Sequence, residues 1–137
     1  MTPDAIVSAA RSFLGTPFKH LGRVPGKALD CAGLAVSVAG ALGLSVDDRE
    51  AYGRTPANGL LEAMLDAQPC LRRVFRTPHA GDLLLMRFKG DPQHLAICAG
   101  GTIIHAWMTV GKVAEHRFTD QWKSRVVRVY EFSGVEA

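Results

Sequence analysis

The chain has no CxxC pair, no dense block of lysine or arginine and no apolar run long enough to cross a bilayer. Its three cysteines, Cys31, Cys70 and Cys98, are an odd number, so no disulfide framework is implied and at least one thiol is free. The longest apolar run, Cys31 to Leu44, is broken only by Gly and Ser and falls short of a membrane span. A net charge of +3 and a pI near 9.0 suit an anionic polymer loosely, but without a basic cluster they do not mark a nucleic-acid binder. The opening "MTPDAIVSAARSFLG" lacks a basic start, an apolar core and a cleavage site. That predicts synthesis in the cytoplasm without export by the general route. Phosphate-loop and G-x-S-x-G motifs are absent as well.

What is present predicts one domain over residues 1–137, with a composition of 47% hydrophobic and 21% charged residues typical of a globular protein. Thr2 can cap a first helix that Gly15 ends, with Pro3 at its first position and Asp4 against the positive end of its dipole. "GTPFKHLGRVPGKALD" is expected to be a loop. Asp30 can cap a second helix, Cys31 to Leu42, apolar on every side and so buried. Asn58 can cap a third, Gly59 to Ala67, with Leu60, Leu61, Met64 and Leu65 inward. Six strand-like runs follow: Leu71–Arg76, Asp82–Met86, His94–Ala99, Thr102–Trp107, Val113–Arg117 and Val126–Tyr130. Helices first and strands later predict an α+β fold, with N-terminal helices packed on an antiparallel sheet of about five or six strands.

Cys31 falls in the first turn of the second helix, where backbone N–H groups lack partners and the dipole is positive. Both features favour thiolate, so a lowered pKa is expected and the position suits a nucleophile. A small buried core cysteine fits the same place. A nucleophile needs a base, and the base an orienting group. Of the five histidines, His20, His79 and His116 lie in loops or at a strand end and read as surface residues. His94 and His105 differ. "QHLAICAGGTIIHAW" reads as a hairpin around Gly100–Gly101, a pair suited to a two-residue turn. That register sets Ala96 opposite His105 and His94 opposite Trp107, on the inner face of the hairpin. The two imidazoles become diagonal neighbours, roughly 7 Å apart along the backbone. Two half-buried histidines with separate partners are the alternative. A shared metal ion is not expected, because His94 and Cys98 lie about 13 Å apart along a strand and close ligand pairs are missing.

The segment "FLGTPFKHLGRVPGKALDCAGLAVSV" resembles the nucleophile region of the NlpC family of papain-like cell-wall cysteine peptidases. "HAGDLLLMRF" resembles the family's Pro-Gly-Asp-Leu strand, and "QHLAICAGGTIIHAW" its His-Val-Gly-Ile strand and the next strand, ending in His-Ala. The resemblance implies a papain-like fold with Cys31 as nucleophile, His94 as base and His105 as the group that orients it. It implies a peptidoglycan stem peptide as substrate, cleaved between D-glutamate and diaminopimelate, without metal or cofactor. Phe18, His20, Asp30 and Ala32 would lie about the substrate or the oxyanion. Phe18 replaces the family's tyrosine, His20 is placed to take over from it, and Ala32 replaces a serine while keeping its backbone N–H. The closest likeness is to stand-alone versions from phage tails and gene-transfer particles, which implies particle proteins as partners and delivery on such a particle. Two other readings stay open: an assembly protein that keeps the fold without turnover, and a papain-like hydrolase of another amide.

Overall fold

The computed structural model describes residues 1–48, 59–88 and 91–136. Helix α1 (Pro3–Arg11) starts as its sequence dictates: Thr2 Oγ1 accepts from the Ala5 N–H at 3.1 Å, and Pro3 and Asp4 occupy the first turn. It ends at Arg11, earlier than Gly15, and buries Ile6, Val7 and Ala10. The Gly- and Pro-rich segment that follows is more ordered than expected, since it contains a two-stranded antiparallel ribbon, β1 (Arg23–Val24) and β2 (Ala28–Leu29). Pro17–Lys19 lies beside it, with the Leu29 N–H donating to Pro17 O and the Lys19 N–H to Leu29 O.

Helix α2 (Cys31–Ala41) begins at the expected residue because Asp30 caps it. Leu34 and Val38 are buried, and so are Ala32, Gly33 and Ala39. Helix α3 (Leu60–Asp66) starts from Gly59, whose φ of +77° suits glycine. Asn58, the expected cap, lies outside the described residues. Leu60 corrects the inward assignment of its helix face: it is 39% exposed at the first position, while Leu61 and Leu65 are buried.

The sheet comprises β3 (Leu71–Val74), β4 (Leu83–Phe88), β5 (Asp91–Cys98), β6 (Thr102–Trp107), β7 (Lys112–Arg117) and β8 (Val126–Phe132). Every pairing is antiparallel, in the order β3-β8-β4-β5-β6-β7. Helix α4 (Asp120–Lys123) lies between β7 and β8 and is capped by Thr119.

Successive strand residues point to opposite faces, and here both faces are covered. Leu83, Leu85, Leu95, Ile97, Ile104, Ala106 and Val113 join α1, α2 and α3 in the main core. Leu84, Met86, Ala96, Cys98, Ile103 and Val129 form a second, smaller core on the other face, closed by Phe118 and Trp122. The architecture is therefore α+β and papain-like, with the helices on one face of a six-stranded antiparallel sheet.

The contact that joins the ribbon to α2 leaves no room for a side chain. A Cβ built at Gly33 would sit 2.1 Å from Gly22 O, whereas one at Gly40 meets nothing within 4 Å. Gly33→Ala is thus expected to lower stability by about 2 kcal/mol or more through forced displacement of backbone. Gly40→Ala, in the same helix, should instead raise it by about 0.5–1 kcal/mol. Urea unfolding of the two variants measures both signs.

Candidate active site

Asp30 organises the start of α2. One carboxylate oxygen accepts from the Gly33 N–H at 2.7 Å and from Arg23 Nη1 at 2.8 Å, and the other from the Leu21 N–H at 2.9 Å. Arg23 also donates to Gly22 O at 2.9 Å and to Asp48 at 2.8 Å. Leu21 has a φ of +64°, a conformation that costs a side-chain-bearing residue roughly 1–2 kcal/mol. Its bond to Asp30 helps offset that cost.

The next residue is Cys31, half-buried at the first position of α2. The thiol lies against backbone N–H groups of Ala32 and Leu95, both of which favour thiolate. They do not win. Burial first, then the neighbouring Asp30 carboxylate, push the Cys31 thiol up to about 12. This reverses the lowered value expected from the helix start alone. The same carboxylate that caps the helix places a negative charge beside the sulfur, and desolvation of the thiolate outweighs the peptide dipoles.

Across from this helix start, β5 carries His94 next to Leu95. The His94 ring is 6% exposed and the His105 ring on β6 is fully buried. His94 Nε2 and His105 Nδ1 share a hydrogen bond of 2.6 Å. The hairpin register that predicted their approach is the one observed: the Ala99 N–H donates to Thr102 O at 2.9 Å, and Ile97 and Cys98 pair with Ile104 and Ile103. By alternation both rings fall on the sheet face of the smaller core, opposite the helices. Aromatic rings enclose them there. Trp107 stacks on His105 at 5.3 Å, Trp122 meets it edge-on at 5.2 Å, and Phe88 lies 5.0 Å from His94.

Burial also sets the charge of this pair. It lowers the His94 pKa to about 3. His105 is lowered to about 2, by burial first and then by the adjacent histidines. Both imidazoles are neutral at neutral pH. Among the described residues, Cys31 Sγ shares no hydrogen bond with the His94 ring. The thiol meets the backbone of the neighbouring residue, Leu95.

Ala32 is buried beside Cys31. Phe18 is half-buried against the main core, its N–H donating to Gly111 O at 2.8 Å, and it bridges to Leu29 two positions before Cys31. His20 is half-buried in the loop just beyond.

One residue was passed over. His105 Nε2 makes a second hydrogen bond, 2.7 Å to His116 Nε2, and His116 Nδ1 donates to the Arg117 carbonyl at 3.0 Å. The surface reading of His116 is corrected by the β6–β7 register. Ile103 pairs with His116 and His105 with Ala114, which sets the rings of 105 and 116 diagonally on one face. Alternation along "KVAEHR" paired with "TIIHAW" carried that information, but the turn length between the strands hid it.

A cysteine at a helix start set against β5, with a buried histidine pair shared between β5 and β6, belongs to the papain-like class of arrangements. The chain is a member of the NlpC/P60 family, whose pattern it matches over residues 15–131. Its fold is similar to that of an NlpC/P60 family protein from Bacillus cereus, with a TM-score of 0.68 and 18% identity over 94% of this chain and 39% of that one. It is similar also to the NlpC/p60 domain of the peptidoglycan hydrolase SagA, with a TM-score of 0.61 and 28% identity over 94% of this chain and 97% of that domain. A third neighbour, RipD from Mycobacterium tuberculosis, is described as a non-catalytic NlpC/p60 domain protein adapted to peptidoglycan binding. Its TM-score is 0.60, at 17% identity over 94% of this chain and 95% of that one. No curated protein sequence matches the chain. The fold is that of the NlpC/P60 peptidoglycan hydrolases, a family that includes non-catalytic members.

The two depressed histidines make stability depend on pH. Each binds a proton more weakly folded than unfolded, so its contribution is complete above the ordinary imidazole value of about 6.5 and is lost as pH falls toward the folded values. Between about pH 6.5 and pH 5 the unfolding free energy should drop by at most about 2 kcal/mol per histidine. His105→Asn should make that dependence shallower, which urea titrations of both proteins at several pH values measure.

Proposed function

We propose that the chain is a cysteine peptidase acting on peptidoglycan stem peptides, with Cys31 as nucleophile, His94 as base and His105 as its orienting partner. The observation that carries this reading is the buried 2.6 Å bond between His94 and His105, one residue from the backbone that Cys31 touches. With a high thiol pKa and a low imidazole pKa, a neutral pair at rest suits the site better than a preformed ion pair. As Sγ attacks the amide carbonyl, the thiol proton passes to His94 and a carbon–sulfur bond forms. The N–H groups at the start of α2 have no partners inside the helix and can receive the oxyanion; one such donor is typically worth about 3 kcal/mol. His94 then gives its proton to the leaving amine as the carbon–nitrogen bond breaks. Water, deprotonated by His94, cleaves the thioester and returns the thiol.

We infer a D-glutamyl–diaminopimelate bond as the target, and a phage tail or similar particle as the carrier, from the family resemblance of the motifs. A second reading is favoured by a specific observation: the thiol and the His94 ring are not hydrogen-bonded, and the thiol is held protonated. That would suit a protein that binds the wall without cutting it, as RipD is described.

Purified peptidoglycan separates the two. The wild-type chain should release muropeptides detectable by mass spectrometry, still with activity at pH 5, where His94 remains neutral. Cys31→Ala and His94→Ala should each lose about a thousandfold or more, while Cys70→Ala should not. Release that survives Cys31→Ala contradicts the enzyme reading. Retention on the wall without release by the wild type supports the second.

A further inference from the structure

The mechanism requires a lone pair at His94 Nδ1, and the His94–His105 bond alone does not secure one. A neutral imidazole has one N–H and one lone pair, and its two nitrogens can exchange roles. His94 Nε2–H can donate to His105 Nδ1, or His105 Nδ1–H can donate to His94 Nε2. Either choice satisfies the 2.6 Å contact. Only the first leaves Nδ1 of His94 unprotonated. An amide or carboxylate oxygen in place of His105 would settle the matter, because oxygen there can only accept. A histidine cannot settle it without a further partner.

The third ring supplies that partner. The Arg117 carbonyl can only accept, so the hydrogen bond at 3.0 Å requires the proton of His116 to be on Nδ1. In the uncharged ring of His116, Nε2 is then a lone pair. The 2.7 Å contact to it must come from His105 Nε2–H. His105 Nδ1 is thereby an acceptor, and the proton in the 2.6 Å bond belongs to His94 Nε2. The backbone carbonyl of Arg117 thus sets the polarity of the whole row. Its geometry is held by indole rings: Trp122 lies 4.8 Å from His116 and Trp107 lies 5.7 Å away.

We propose that His116 is a positioning residue that, through His105, keeps the proton of His94 on Nε2 and leaves Nδ1 to accept the proton of Cys31. This rests on the reading of His94 as base, but the tautomers are observable without turnover. In full-length 15N-labelled protein near neutral pH, long-range proton–nitrogen correlation spectra should show Nε2–H tautomers at His94 and His105 and an Nδ1–H tautomer at His116. His116→Phe should convert His94 wholly or partly to Nδ1–H and lower kcat on a soluble stem peptide about tenfold, with KM unchanged. His116→Gln offers an amide oxygen to His105 and should restore both the His94 tautomer and most of the rate. The proposal is overturned by an Nδ1–H tautomer at His94 in the wild type, by an unchanged His94 tautomer in a folded His116→Phe, or by Phe and Gln variants that behave alike. If the Phe variant does not fold, the wild-type and Gln spectra decide. The expected tautomers in a wild-type protein that cuts no stem peptide would uphold the role of His116 and sink the enzyme reading, so the two failures are distinct.

Discussion

The site is organised around the Asp30 carboxylate. Its bonds to the Gly33 and Leu21 N–H groups and to Arg23 tie together the first turn of α2, a left-handed loop residue and the ribbon. A helix of small and apolar residues has no charge pattern to fix its start, so the cap does it. Cys31 comes immediately after and is set against β5 at Leu95. The close approach of Gly22 O to Gly33 shows how little slack this junction has. The cap also has an electrostatic cost, because the charge that orders the helix opposes ionisation of the adjacent thiol.

That cost shapes the chemistry. Helix dipoles alone suggest a standing thiolate, yet burial and a neighbouring carboxylate keep the sulfur protonated. The partner rings, buried among Phe88, Trp107 and Trp122, are held neutral. In the proposed mechanism acid and base therefore rest uncharged, and charge separation waits until a substrate carbonyl receives the electrons. There a neutral His105 would stabilise the transient imidazolium through one directed lone pair, so the direction of its hydrogen bond would matter more than for a carboxylate.

Much of this was legible in the sequence where local rules act alone. Thr2, Pro3 and Asp30 announced their helix starts, and Gly100–Gly101 specified the hairpin that pairs His94 with His105. Tertiary packing hid the rest. "LLLM" in β4 is buried on both faces, so its pattern could not say which face the helices cover or that the histidines lie on the other. Leu60 matched its helix period but stands at an exposed first turn. His116 looked like a strand-end surface residue until the β6–β7 register set it diagonal to His105. The thiol pKa escaped because desolvation is a property of the assembled fold.

The proposed mechanism makes the nucleophilicity of Cys31 depend on His94. It is tested most directly by the rate at which a neutral alkylating agent modifies each cysteine near pH 7, followed by peptide mass spectrometry. Cys31 should react faster than Cys70 and Cys98 in the wild type, and His94→Ala should slow its reaction by about tenfold or more while leaving the other two unchanged. Equal rates at Cys31 with and without the His94 imidazole would rule out that dependence.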